Sequence, residues 1–281
     1  MFSRILFAVE DDEALADAIP VVAAYARRWS AEVRVTHVHR IDPRAVNGAS
    51  RRLVASVVDR LRSAGIRAEG EVRLVDHGDR IGPAIAGAAV REGADLVAIG
   101  SRGRSDLGAL FLGSVSHDAS CGLPLPVLVI RASSTAAAEP GKVLVGVDGS
   151  AASDEAVTEA ADIAASFGAT VAVVHVNQLM TAEGVAIVEP EDDARDILRR
   201  AVAALEARGV RATAEAPLDR SAANGIVAAA ERIGADLVVL GSRRPSHLGG
   251  LVMGSVAHEA IHRLRCPVLL AHRVVSAEPV G

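Results

Sequence analysis

Gly100, Gly103, Gly113 and Ser114 share one stretch, GSRGRSDLGALFLGS, between the apolar run Asp95–Ile99 and the segment Ser114-Val115-Ser116-His117-Asp118. The run reads as a buried strand, and the segment reads as the first turn of a helix. A strand, a glycine-rich turn and a helix N-terminus together can hold phosphate. Glycine lets the backbone approach an anion without a Cβ clash, successive N–H groups converge on its oxygens, and the helix adds unpaired donors and the positive end of its dipole. The bland alternative is a strand-to-helix loop whose glycines only make tight turns.

A second copy of the stretch keeps Gly241, Gly254, Ser255 and Val256, but Arg244 replaces the middle glycine and Pro245 follows it. Proline removes an N–H, whereas a guanidinium can pair with phosphate oxygens. The copy therefore reads as a weaker phosphate site, or as one that has become structural. Acidic turns follow the first apolar run of each half, at Glu10 (with Asp11 and Asp12) and at Asp148. Each can accept hydrogen bonds from a ligand, or can favour the start of a helix through its dipole. His258-Glu259-Ala260-Ile261-His262 matches H-E-x-x-H, the spacing that puts two imidazoles on one helix face for zinc. A zinc protease also needs a third ligand and its own fold, so we expect no metal site and two exposed histidines. Cys121 and Cys266 lack C-x2-C partners and read as buried thiols in similar positions of the two halves.

The elements that position these residues come from an internal repeat. Arg4–Glu10 answers to Lys142–Asp148, Val35–Val38 to Val173–Val176, Gly93–Gly100 to Gly234–Gly241, and Pro126–Ile130 to Pro267–Ala271. The matches keep their order, which divides the chain into residues 1–133, a small polar linker at 134–140, and residues 141–281. Within each half, short β-rich runs alternate with alanine-rich stretches. Ala14, Ala18, Val21, Val22 and Tyr25 fall on one stripe at helical spacing. The alternation predicts an α/β fold: two tandem doubly wound parallel five-stranded sheets with helices on both faces. In the first half strands fall near 4–9, 32–38, 69–75, 95–99 and 127–131, with helices near 12–29, 50–64, 80–92 and 114–122.

Composition narrows the partners. The net charge of −5 argues against a nucleic-acid binder, which presents a basic face. With aromatics at 2% of 281 residues, stacking platforms for single strands are also unexpected. No apolar run approaches the ~18 residues of a membrane span. Ile5–Val9 is cut short by acids, so a cytoplasmic protein is expected.

The spacing G-x2-G-x9-G-[ST], met by Gly100, Gly103, Gly113 and Ser114, resembles the signature of ATP-binding universal stress proteins, and the likeness covers nearly the whole chain twice. It implies a strand order of 3-2-1-4-5 in each half and a ligand crevice where that order reverses. It also implies ATP as the ligand, with Mg2+ admissible beside the phosphates. Asp148 and Glu10 would hold the nucleoside end, and the main chain at Val38 and Val176, after His37 and His175, would face the adenine. Gly100, Gly103, Gly113, Ser114, Val115 and Ser116 would take the phosphates, as would Gly241, Gly254, Ser255 and Val256 with reduced occupancy. The fifth strands, Val127–Ile130 and Val268–Ala271, would pair so that the halves form a pseudo-dimer; a homodimer of chains is also admissible. Three functions stay open: a stress-response regulator signalling by nucleotide occupancy, a slow ATPase or nucleotidyl-transfer enzyme, and a ligand-free interaction protein. No G-x4-G-K-[ST] or lysine occurs in the loop, and Arg102, Arg104 and Asp106 are thin support for phosphoryl transfer.

Overall fold

The computed structural model describes residues 1–10, 12–40, 48–76, 79, 81–101, 125–131, 134, 136–182, 185–187, 190–242 and 254–272. The first half runs β1 (Arg4–Ala8), α1 (Asp12–Trp29), β2 (Glu32–Arg40), α2 (Gly48–Ser63), β3 (Ala68–Val75), α3 (Ile81–Arg91), β4 (Leu96–Ser101) and β5 (Val127–Arg131). The second runs β6 (Lys142–Gly146), α4 (Ala151–Phe167), β7 (Thr170–Val174), β8 (Asn177–Gln178), β9 (Met180–Ala182), β10 (Val185–Ile187) and α5 (Glu191–Glu206). It continues through β11 (Ala212–Glu215), β12 (Leu218–Asp219), α6 (Ala222–Ile233), β13 (Leu237–Gly241), α7 (Ser255–Arg263) and β14 (Val268–Ala271). The helix expected near 114–122 lies outside the described residues. Among those residues, no helix is long and apolar enough to cross a membrane.

Among the described residues, ten strands form one sheet in the order β11-β7-β6-β13-β14-β5-β4-β1-β2-β3. Each half therefore has the expected 3-2-1-4-5 order, and every pair of this sheet that lies inside a half is parallel. The central strands are apolar throughout because helices cover both faces. Along β1 and just past it, Ile5, Phe7 and Val9 enter the core beneath α1 and α2, while Leu6 and Ala8 enter the opposite one. Ala18, Val21, Val22 and Tyr25 of the α1 stripe are all buried.

The two sheets join where β5 meets β14 antiparallel, with Leu128 opposite Leu269 and Val129 opposite Val268. This pairing covers two apolar edges that would otherwise be open to other strands. Phe2, Tyr25, Trp29 and Phe167 gather beside the seam, with ring centroids 5.0–5.9 Å apart. They are four of the chain's six aromatic residues, so the scarce large side chains are concentrated where α1 meets α4. Burial pushes the Tyr25 hydroxyl well above its ordinary pKa. Arg131, at the end of β5, donates to the carbonyls of Ile261 (3.3 Å), His262 and Leu264 (3.5 Å). A guanidinium of the first half thus satisfies carbonyls that the last turn of α7 leaves open.

Candidate functional site

The order reverses between β6 and β13, and a cavity of about 520 Å³ opens there, at the C-terminal ends of β6, β7 and β13. The N-terminal ends of α4, α6 and α7 close it. Asp148, Val176, Gly241, Gly254, Ser255 and Val256 all line it. Gly146, Val176, Ile226 and Leu240 provide apolar surface, and Asp148, Ser150, His175, Gln178 and Ser255 provide polar groups. The volume lies within the roughly 300–1,000 Å³ of small-molecule sites.

Gly149 takes φ +76°, a left-handed turn that reverses the chain after β6. Asp148 Oδ1 accepts from the Ser150 N–H at 3.0 Å and from the Ser150 hydroxyl at 2.5 Å. Ser150 in turn caps α4 by accepting from the Ser153 N–H at 3.3 Å. Asp148 is exposed on the cavity rim, so it organises the cap and presents a carboxylate to the cavity at once. Sequence reasoning passed over Ser150, although a serine just before an alanine-rich run is an N-cap signal.

The N–H groups of His175 and Asn177 bond outwards, to Glu215 O (3.1 Å) and Pro217 O (2.9 Å). The alternation of an extended chain turns the main-chain groups of Val176 to the opposite edge, where β6 has already ended. The Val176 side chain packs on α6 at Gly225, where an added Cβ would come within 2.6 Å of it. Gly241 has a steric reason of its own. A Cβ there would sit 2.5 Å from Ala152 O and 2.9 Å from Ser153 N, inside the first turn of α4. Gly254 is the N-cap of α7, with φ −65° and ψ 157° and no side-chain capping bond. The first N–H groups of α7 are thus turned to the cavity without a capping side chain in front of them.

The repeat contains a histidine clamp that valine-centred reasoning missed. His175 Nδ1 donates to Val147 O at 2.9 Å, and His37 Nδ1 donates to Val9 O at 2.8 Å. A carbonyl only accepts, so the bond fixes the proton on Nδ1. Each imidazole ties the end of its half's first strand to the second strand, one residue before the acidic turn. Both rings are buried, and burial lowers the His37 pKa despite the bond to Val9. The signal was the matched pair itself, His37-Val38 and His175-Val176.

In the first half, Glu10 is exposed just past β1, Val38 is half-buried on β2, and Gly100 is buried on β4 opposite Ile130. They occupy the C-terminal ends of three adjacent strands, as their counterparts do. Gly103, Gly113, Ser114, Val115, Ser116, Arg244, Pro245 and Cys121 lie outside the described residues. Cys266 is buried, and its thiol is pushed up to about 12. Two expectations need correction. His258 and His262 are half-buried rather than exposed, with Nε2 atoms 3.3 Å apart and rings at 74°. Counted from Gly113 and Gly254, Cys121 answers to His262, and Leu125 answers to Cys266.

The family model described as Universal stress protein family matches residues 1–131 and again 140–272. The chain belongs to the universal stress protein family. A universal stress protein of Mycobacterium tuberculosis is 31% identical over 187 residues, covering 64% of this chain and 62% of that protein. The chain thus spans less than two thirds of the length of that universal stress protein. One from Methanocaldococcus jannaschii is 32% identical over 140 residues, covering 47% of this chain and 82% of that protein. The crystal structure of a universal stress protein from Archaeoglobus fulgidus superposes with a TM-score of 0.72 at 22% identity, covering 96% of each chain. That likeness supports the universal stress fold in both halves.

Proposed function

We propose that this universal stress protein binds an adenine nucleotide, ATP in particular, and acts as a stress-response regulator in which nucleotide occupancy is the signal. One observation carries the reading: six residues that the repeat and the family resemblance single out, Asp148, Val176, Gly241, Gly254, Ser255 and Val256, line a single cavity at the switch point. The chemistry around that cavity fits the ligand. The uncapped start of α7 suits phosphate, the edge of Val176 suits a base, and the carboxylate of Asp148 suits ribose hydroxyls. Mg2+ would accompany the phosphates as a counter-ion. The two halves, divided at 134–140, act as a built-in dimer with one site each.

The sites are unequal in this reading. The first half has the full glycine signature, whereas Arg244 and Pro245 interrupt it in the second. Losing one charge-assisted hydrogen bond, worth about 1.5–3 kcal/mol, lowers affinity roughly ten- to 150-fold, and losing two compounds the loss. The test is calorimetric titration of the full chain with ATP, beside nucleotide analysis of the purified, heat-denatured protein. One tight site per chain is expected, abolished by Gly113→Val and little changed by Gly254→Val. Two equal tight sites would overturn the ranking, and no ATP binding by stripped protein would overturn the function.

A further inference from the structure

The sheet ends in two outer strands, and they differ. β11 has four residues, of which only Ala212 and Ala214 turn their backbone outwards, because Val171 N–H bonds to Arg211 O and His175 N–H to Glu215 O. β3 has eight, and among the described residues it pairs only with β2. The Val33 N–H donates to Arg67 O at 2.9 Å, so the odd-numbered residues of β3 face β2. Ala68, Gly70, Val72 and Leu74 therefore turn N–H and C=O to the open side. Arg62 already donates to Ala68 O at 2.9 Å. Gly70, Val72 and Leu74 are left as a template for another strand.

The side chains alternate too. Gly70 faces α2, where an added Cβ would lie 2.4 Å from Val54, so Val72 and Leu74 share that face. Leu74 is 64% exposed, a large apolar side chain left on the rim. Glu71 and Arg73 share the other face and pair with each other at 3.0 Å. Charges on an outer strand normally deter other strands, but this order of charges is self-complementary. Two copies paired antiparallel about a twofold axis at Val72 set Glu71 opposite Arg73 of the second copy, on both sides of the axis. These are the non-hydrogen-bonded pairs, whose side chains come closest. Other registers lose that match. An axis at Gly70 sets Glu69 against Glu71, one at Glu71 or Arg73 sets that residue against itself, and one at Leu74 sets Arg73 against Val75. Like charges directly opposite destabilise a pair. The Val72 register also brings Val72 against Val72, and lays Leu74 beside the second copy's Gly70, where no side chain competes for the space. The chain already uses an antiparallel edge joint once, between β5 and β14.

We propose that β3 is a dimerisation edge, through which two copies of this chain join as an antiparallel pair centred on Val72. Gly70, Val72 and Leu74 of each copy supply about six backbone hydrogen bonds, and Glu71 and Arg73 fix the register. The contact is isologous, so it closes at two copies.

The test is analytical ultracentrifugation of the full chain over a range of concentrations, where a monomer–dimer equilibrium is expected. Glu71→Arg and Arg73→Glu each turn both attractive pairs into like-charge pairs and should weaken the dimer about tenfold or more. Mixing the two variants restores opposite charges in both pairs and should bring association back to near the wild-type level, as a heterodimer. Val72→Pro removes an N–H that β2 does not use and should abolish the dimer while keeping the fold. A monomeric wild-type chain, growth beyond two copies, an unweakened Glu71→Arg dimer, or a mixture as weak as its components would each overturn the proposal. Should a variant fail to fold, hydrogen exchange of the wild-type chain decides. The Gly70, Val72 and Leu74 amides must exchange more slowly as concentration rises into the dimer range, and unchanged exchange would overturn the proposal.

Discussion

Gly241→Ala tests whether the first glycine of the second-half signature serves packing rather than ligand. The added Cβ would lie 2.5 Å from Ala152 O and 2.6 Å from Ala152 C, about 0.9 Å short of the 3.4 Å at which ordinary contact begins. The obstacle is backbone, so no rotamer change relieves it; α4 or β13 must shift. The start of α4 is held by Ser150, whose side chain accepts from the Ser153 N–H and whose carbonyl accepts from the Ser153 hydroxyl at 2.8 Å. Overpacking costs about 1–3 kcal/mol, and a loosened N-cap costs about 1 kcal/mol more. The sum is roughly 2–4 kcal/mol, a fall in Tm of about 5–15 °C for a chain of this size. Thermal and urea melts of Gly241→Ala should be read beside Gly209→Ala. Gly209 has φ +73° and nothing within 4 Å of its added Cβ, so that change costs only about 1–2 kcal/mol of left-handed strain. A Gly241→Ala protein that melts no lower than Gly209→Ala would refute the steric argument.

The contrast within the same cavity is Gly146→Ala, whose Cβ would meet the flexible ends of Leu240 (2.8 Å) and Ile226 (3.3 Å). We expect a stability change below about 1 kcal/mol, because side-chain ends can yield, together with weaker ligand binding as those ends move into the cavity. Arg131→Met removes the donor for three carbonyls at the end of α7 and should cost about 1–2 kcal/mol in chemical denaturation; an unchanged midpoint would show that water replaces the guanidinium. His37 has a folded-state pKa below the ordinary imidazole value of 6.5, so the unfolded chain binds more protons and stability falls as pH drops below 6.5. His37→Asn should flatten that part of the pH–stability curve, and an equally steep curve would exclude His37 as its source.

The architecture was legible because the repeat states it twice. Four matched segments in the same order identify the strands, and the alternation of apolar runs with alanine-rich stretches leaves a parallel sheet as the only economical arrangement. What escaped was too short or too local to leave a period. β8 pairs with β12 over two residues each, and β9 pairs with β10 over three; such runs show no alternation long enough to read. The histidine clamp escaped for a different reason. Nothing in a strand's own sequence marks a histidine as a core group; only the neighbouring strand's carbonyl, at Val9 or Val147, makes it one. His258 and His262 were misjudged because the exposure of a helix face depends on what packs against it, and the helix that carries them packs on α6 and receives Arg131 from β5.

Gly241 also changes what the glycine signature says about ligand. Its Cβ is excluded by α4, so any chain with this helix-to-strand approach needs glycine there, whether or not phosphate is present. Gly254 differs: it caps α7 at φ −65°, a conformation open to other residues, where serine, threonine, asparagine or aspartate would cap better. A glycine retained where a capping side chain would stabilise the helix leaves the first N–H groups of α7 available to something else. The position held by Arg244 has already departed from glycine, while Gly241 and Gly254 remain. Gly241 is thus accounted for by the fold alone, and Gly254 carries the weight of the ligand argument. By the same reasoning, the phosphate case in the first half rests more on Gly113 and Ser114 than on Gly100, which answers to Gly241 in the repeat.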